Sequence, residues 1–148
     1  MDEADVQSIL AFDETMIGSD GLPAGKHPHP RLWGTFPRIL GRYSRDLGLF
    51  PLETAVWKMS GLTARTFGIE NRGILAVGKQ ADVVIFDAQT VRDRATYDEP
   101  AQTADGIEVV IVNGTLTWDG GAHTGARCGR LVTRATDRRS RTASVDAW

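Results

Sequence analysis

The sequence predicts an α+β protein, with helices up to about residue 68 and strands from there to about residue 132. Three observations carry this. Before Gly68, apolar residues recur at helical spacing: Leu32, Trp33, Phe36, Ile39, Leu40 and Tyr43, then Leu52, Val56 and Met59. After Gly68 the texture changes to short, β-branched runs bounded by glycine. Between two of those runs stands Asn113-Gly114, the best two-residue hairpin signal in the chain.

The elements follow in order. Asp2 can cap a first helix with Val6, Ile9 and Leu10 on one face, ended by Phe12-Asp13-Glu14. Thr15 to Ser19 reads as a short buried strand. Residues 21–30 hold three prolines and two glycines and read as loop. The helical pattern from Leu32 to Tyr43 contains Pro37, which predicts a kink or two short helices meeting there. Arg38, Arg42 and Arg45 fall on its wetter side, and Gly48 stops it. Trp33, Phe36 and Tyr43 are expected in the core.

Pro51 opens the next helix, with Leu52, Val56 and Met59 as its buried stripe and Trp57 only partly covered. Gly61 is expected as its C-terminal cap, and Thr63 as the cap of a last short helix, Ala64 to Phe67, closed by Gly68. Gly73–Gly78 and Ala81–Asp87 read as two strands around a tight turn. Ile107–Val112 and Thr115–Trp118 form the hairpin. Residues 88–106 lack periodicity and read as a surface loop. The tail from Arg127 to Trp148 carries six arginines against two acidic residues. Beyond Val132 it has almost nothing to bury, so disorder is expected over 133–148.

Composition excludes several functions. A chain of 148 residues with net charge −2 has no general attraction for nucleic acid or anionic membrane. No apolar run approaches the ~20 residues that span a bilayer. The acidic start, Met1-Asp-Glu-Ala-Asp, does not read as a signal peptide. The single cysteine, Cys128, can form no internal disulfide, which fits a reducing cytoplasm.

Chemistry concentrates in Ile17-Gly-Ser-Asp-Gly-Leu-Pro and the following His27-Pro-His-Pro-Arg-Leu-Trp-Gly. An apolar run ending in Gly-Ser-Asp-Gly is how a strand delivers a carboxylate, here Asp20, to its carboxyl end. Such a group can do acid–base work. Its plainer reading is a turn aspartate, since Ser-Asp-Gly is common turn chemistry. His27 and His29 alternate as metal-binding pairs do, but prolines interrupt them and a third ligand is lacking. They are read as lining the loop on the substrate side. Arg31, in the first turn of a helix, opposes the helix dipole, and its planar guanidinium suits bidentate capture of a carboxylate. Cys128, among Arg127 and Arg130, follows no nucleophile pattern and is read as inert.

Together these segments resemble the D-aminoacylase (N-acyl-D-amino-acid deacylase) branch of the amidohydrolase superfamily, in its C-terminal portion. The segments that carry the likeness are Met16-Ile-Gly-Ser-Asp-Gly-Leu-Pro, His27-Pro-His-Pro-Arg-Leu-Trp-Gly, Phe36-Pro-Arg-Ile-Leu-Gly-Arg-Tyr-Ser-Arg and Leu52-Glu-Thr-Ala-Val-Trp-Lys-Met-Ser-Gly-Leu-Thr. Gly73-Ile-Leu-Ala-Val-Gly-Lys-Gln-Ala-Asp-Val-Val-Ile-Phe-Asp, Val112-Asn-Gly and Gly121-Ala-His-Thr-Gly-Ala-Arg continue it. The His-Pro-His-Pro-Arg block is the most specific of these.

The resemblance implies a metal-dependent (β/α)8 enzyme with a small antiparallel β-sandwich. Residues 1–68 would be the last barrel strand and its following helices, and 69–132 the C-terminal part of the sandwich. It implies Asp20 as the catalytic acid–base, taking a proton as zinc-activated water attacks an amide and returning it to the leaving amine. It implies Arg31 for the α-carboxylate of an N-acyl-D-amino acid. The zinc ligands are expected upstream of Met1, so this chain alone is expected to hold no catalytic metal and to be inactive. Its partner would be the N-terminal remainder of the enzyme, or another copy. Two rivals stand beside this reading. Residues 73–118 could form a non-catalytic β module that pairs with another chain, or the arginine tail could touch nucleic acid.

Overall fold

The computed structural model describes residues 2–25 and 27–133. The helices come first. Asp2 caps α1 (Glu3–Ala11): its side chain accepts from the Ala4 amide at 2.9 Å, while Asp5 accepts from the Asp2 amide. These bonds satisfy amides that a helix start leaves open. α2 (Arg31–Arg38) runs directly into a π-helix, Ile39–Asp46. Pro37 lacks the N–H that would close onto the preceding turn, and just beyond it the register widens; the Leu47 amide reaches back to the Arg42 carbonyl. The expected meeting of two helices at Pro37 therefore takes this form. α3 (Leu52–Met59) and α4 (Gly61–Thr66) complete the helical part. Gly48 and Gly68 end their helices with positive φ, as expected.

The strands form one antiparallel sheet in the order β1-β2-β3-β4: β1 (Val83–Phe86), β2 (Ile107–Val112), β3 (Thr115–Asp119) and β4 (Ala122–His123). The turn between β2 and β3 is the expected one, with φ of 50° at Asn113 and 79° at Gly114. Both angles are positive, as a tight hairpin with right-handed twist requires, and Val112 pairs with Thr115.

The core joins the two parts. Ile17, Ile39, Leu40, Tyr43, Phe50, Ala55 and Val91 are buried together, with Phe86 and Ile107 of the sheet packed against them. Among the described residues, no helix is long and apolar enough to cross a membrane.

Several expectations are corrected. Thr15–Ser19 has no regular structure and is not a strand. A strand needs a neighbouring strand to bond, and the Ile17 amide instead donates to the Lys58 carbonyl at the end of a helix. Gly73–Gly78 forms no strand for the same reason: no described strand lies alongside, and Ile74, Leu75 and Val77 stay exposed. Phe36 is exposed, and on α3 the buried positions are Ala55 and Lys58, leaving Val56 outside. The stripe is turned because the Lys58 ammonium finds carbonyl partners inside. Gly61 opens α4 rather than capping α3, with the Trp57 ring lying against it. Thr63 sits within α4 and donates to the Lys58 carbonyl.

Within 88–106, Val91 is fully buried rather than on a surface loop. The strand β4 was not foreseen. The disorder expected over 133–148 lies, apart from Thr133, outside the described residues.

Candidate functional site

Asp20 follows the segment anchored at Ile17. Its φ is 47°, in the left-handed region that aspartate tolerates better than most residues, and the Gly21 amide donates to the Ser19 hydroxyl just before the chain turns away. The Asp20 carboxylate is therefore carried by a turn and not by a strand end. Its Oδ2 lies 2.9 Å from Nη2 of Arg31, in the first turn of α2. The pair is open to water, with 80 % of the Asp20 side chain and 41 % of the Arg31 side chain exposed. Pairs that exposed stabilise by about 0–1 kcal/mol. The Nε of Arg31 is shielded and has no hydrogen-bond partner among the described residues.

His29 lies beside them. Its Nδ1 accepts the Arg31 amide at 3.1 Å, and its carbonyl accepts the Leu32 amide. Its Nε2 is 3.1 Å from the Tyr97 hydroxyl, with the two rings edge to face and their centroids 5.1 Å apart. His27 is exposed, and no hydrogen bond or ion pair among the described residues joins it to this group. The structure thus brings Asp20, Arg31 and His29 together and leaves His27 apart. Tyr97 is the member that sequence reading missed. It lies 68 residues from His29, in a stretch with no periodicity, so no local signal could have found it.

Lys58 holds the segment that leads to Asp20. Its ammonium donates to the carbonyls of Phe12 and Asp13, and its own carbonyl takes the Ile17 amide. Burial pushes the ammonium below the ordinary lysine value, against the pull of the Asp13 carboxylate.

The described residues do not fit a metal ion by themselves. No three of their His, Cys, Asp or Glu side chains come together to hold one. Nδ1 of His29 is occupied by the Arg31 amide, and Asp20 is occupied by the Arg31 guanidinium. A cleft of about 500 Å³ lies between α2 and the sheet, lined by apolar groups including Trp33, Pro37, Val110 and Trp118, and it does not include Asp20 or Arg31.

Likeness to known proteins bears on this arrangement. A family model described as "Amidohydrolase family" matches residues 6–117. The D-aminoacylase of Alcaligenes xylosoxydans xylosoxydans is 62 % identical over 134 residues, which is 90 % of this chain and 28 % of that protein. A solved structure of a D-aminoacylase, a protein with a binuclear metal center, matches with a TM-score of 0.88 at 61 % identity, over 90 % of this chain and 28 % of its own. The N-acyl-D-glutamate deacylase of Bordetella bronchiseptica was solved with zinc and a phosphonate mimic of the reaction's tetrahedral intermediate. It matches with a TM-score of 0.83 at 48 % identity, over 89 % of this chain and 28 % of its own. The chain spans under a third of the length of these relatives.

Proposed function

The chain belongs to the amidohydrolase family, and from that premise we propose that it supplies the proton-transfer and carboxylate-binding residues of an N-acyl-D-amino-acid deacylase. The observation that carries this is the meeting of Asp20 and Arg31 at 2.9 Å within a stretch matched by deacylases. Residues 1–68 belong with the barrel side of such an enzyme, as its last strand region and following helices. Residues 69–132 belong with a small β-sandwich. We assign the metal ligands to polypeptide outside this sequence, which spans 28 % of the D-aminoacylase that it matches. In the whole enzyme zinc is the expected metal, as in the glutamate deacylase relative.

The chemistry assigned to this chain is proton movement and substrate orientation. Hydrolysis of an amide requires a proton to leave the attacking water and reach the departing nitrogen. The Asp20 carboxylate takes that proton and gives it up. Arg31 binds the substrate's α-carboxylate through its planar N–H groups. The open Asp20–Arg31 pair is weak enough for a substrate carboxylate to exchange into it, and the unpartnered Arg31 Nε offers a further donor. His27 and His29 stand on the substrate side of the same loop.

The partner is the remainder of the enzyme, supplied in the same polypeptide or by another chain. Val84 and Ile85 on the edge strand β1 are the exposed apolar residues it would meet. The single cysteine favours a cytoplasmic setting.

The test is a chimera in which this chain replaces the matching portion of the 62 % identical D-aminoacylase. In it, Arg31→Ala should raise KM for N-acetyl-D-amino acids roughly 10-fold or more, the worth of a charged hydrogen bond. N-acyl amines lacking the carboxylate should be affected far less. Equal losses on both substrates would remove Arg31 from this role.

A further inference from the structure

We propose that Tyr97 is a positioning residue for Arg31, acting through His29; this rests on the carboxylate-binding role given to Arg31 above. The argument starts with hydrogen. The Arg31 amide can only donate, so the His29 Nδ1 that it meets at 3.1 Å carries no proton. A neutral imidazole then carries its proton on Nε2. That Nε2–H points at the Tyr97 oxygen 3.1 Å away and donates to it. By accepting that proton the tyrosine adds to the Arg31 amide's hold on this tautomer, whose bare nitrogen holds the backbone from which the Arg31 side chain springs.

The placement of Tyr97 is built and not incidental. Residues 88–97 run as a strap across the helices. Val91 is fully buried in the core, and its carbonyl accepts from Arg45 Nη1 at 2.6 Å. The strap lies directly on the π-helix at Gly41, where a Cβ would collide with the Val91 carbonyl. Further on, Arg38 Nη1 holds Asp93 Oδ2 at 2.8 Å. Tyr97 then sits in a turn closed from both sides: the Thr96 amide donates to the Glu99 carbonyl at 3.1 Å, and the Glu99 amide to the Thr96 hydroxyl at 2.9 Å. An exposed tyrosine carried by so many fixed points stays over one histidine ring, which it meets edge to face at 77°.

The experiment uses the 148-residue chain itself. Imidazole nitrogen-15 NMR reads the His29 tautomer, and amide hydrogen exchange reads the Arg31 N–H. The unsubstituted chain should show a bare Nδ1 and a protonated Nε2. Tyr97→Phe keeps the ring and loses only the hydroxyl. It should mix the two tautomers and speed Arg31 exchange about fivefold, the worth of one ordinary hydrogen bond, while amides of β2 stay unchanged. In a His29→Ala background the same substitution should add nothing, because the coupling runs through the imidazole.

A protonated Nδ1 in the unsubstituted chain overturns the proposal. So does a Tyr97→Phe variant that leaves the tautomer and Arg31 alone, or one that speeds exchange equally everywhere. Failure of the deacylase reading would show instead in the chimera's turnover, which neither of these measurements touches.

Discussion

The carbonyl of Lys58 accepts the Ile17 amide at 3.1 Å, while the ammonium of the same residue reaches back to the carbonyls of Phe12 and Asp13. One helical residue thus grips both ends of the segment that leads to Asp20. Burial lowers the Lys58 pKa from 10.5 in the folded chain. Just below 10.5 the unfolded chain therefore binds more protons than the folded one, so stability rises with pH in that window. Urea melts from about pH 8 to 10 should show the gap between the parent and Lys58→Met moving in the parent's favour as pH rises. A gap that moves the other way contradicts the burial of a charged ammonium at this position.

Val91 is fully buried although it lies in a stretch with no regular structure. Truncation to alanine removes two buried methyl groups and leaves a hole where the strap meets the π-helix. The expected cost is about 2 kcal/mol, read as a lower urea midpoint with an unchanged slope. A loss below about 0.5 kcal/mol, typical of surface sites, would mean that the strap is not part of the core.

Asp82, next to β1, ties that strand to the hairpin turn: its Oδ1 accepts the Asn113 amide at 2.8 Å and its Oδ2 pairs with Arg72. Burial pushes this carboxyl up, but the Asn113 amide and the Arg72 guanidinium together outweigh it and hold it below its usual value of 3.8. A carboxyl with a depressed folded pKa gives stability that is present above the unfolded value and lost as pH falls through the folded one. Asp82→Asn should therefore be less stable than the parent at pH 7, and the difference should shrink as the pH falls below 3.8. A difference that widens in acid would refute this assignment.

Local chemistry made part of the fold legible in the sequence. Asp2 announced α1 because a cap acts within a few residues, and Asn113-Gly114 announced the hairpin because its φ angles belong to the turn alone. Gly73–Gly78 misled because a β-like run becomes a strand only beside a partner, which pattern does not supply. Lys58 misled because a lysine reads as a wet position, and only the fold places the Phe12 and Asp13 carbonyls over its ammonium. Asp20, His29 and Arg31 could be singled out together because they fall in one short loop and at the start of the helix that follows it. Tyr97 was not, since its link to His29 depends on a strap whose course is set by Val91, Asp93 and Gly41.

The most direct measurement concerns Asp20, the group that would move the proton. In the chimera with the D-aminoacylase relative, turnover of an N-acetyl-D-amino acid by the Asp20→Ala variant should fall ~100-fold or more with the fold intact, the loss typical of a general acid–base group. Turnover within a fewfold of the parent would contradict the central claim, because the proton would then be travelling by another route.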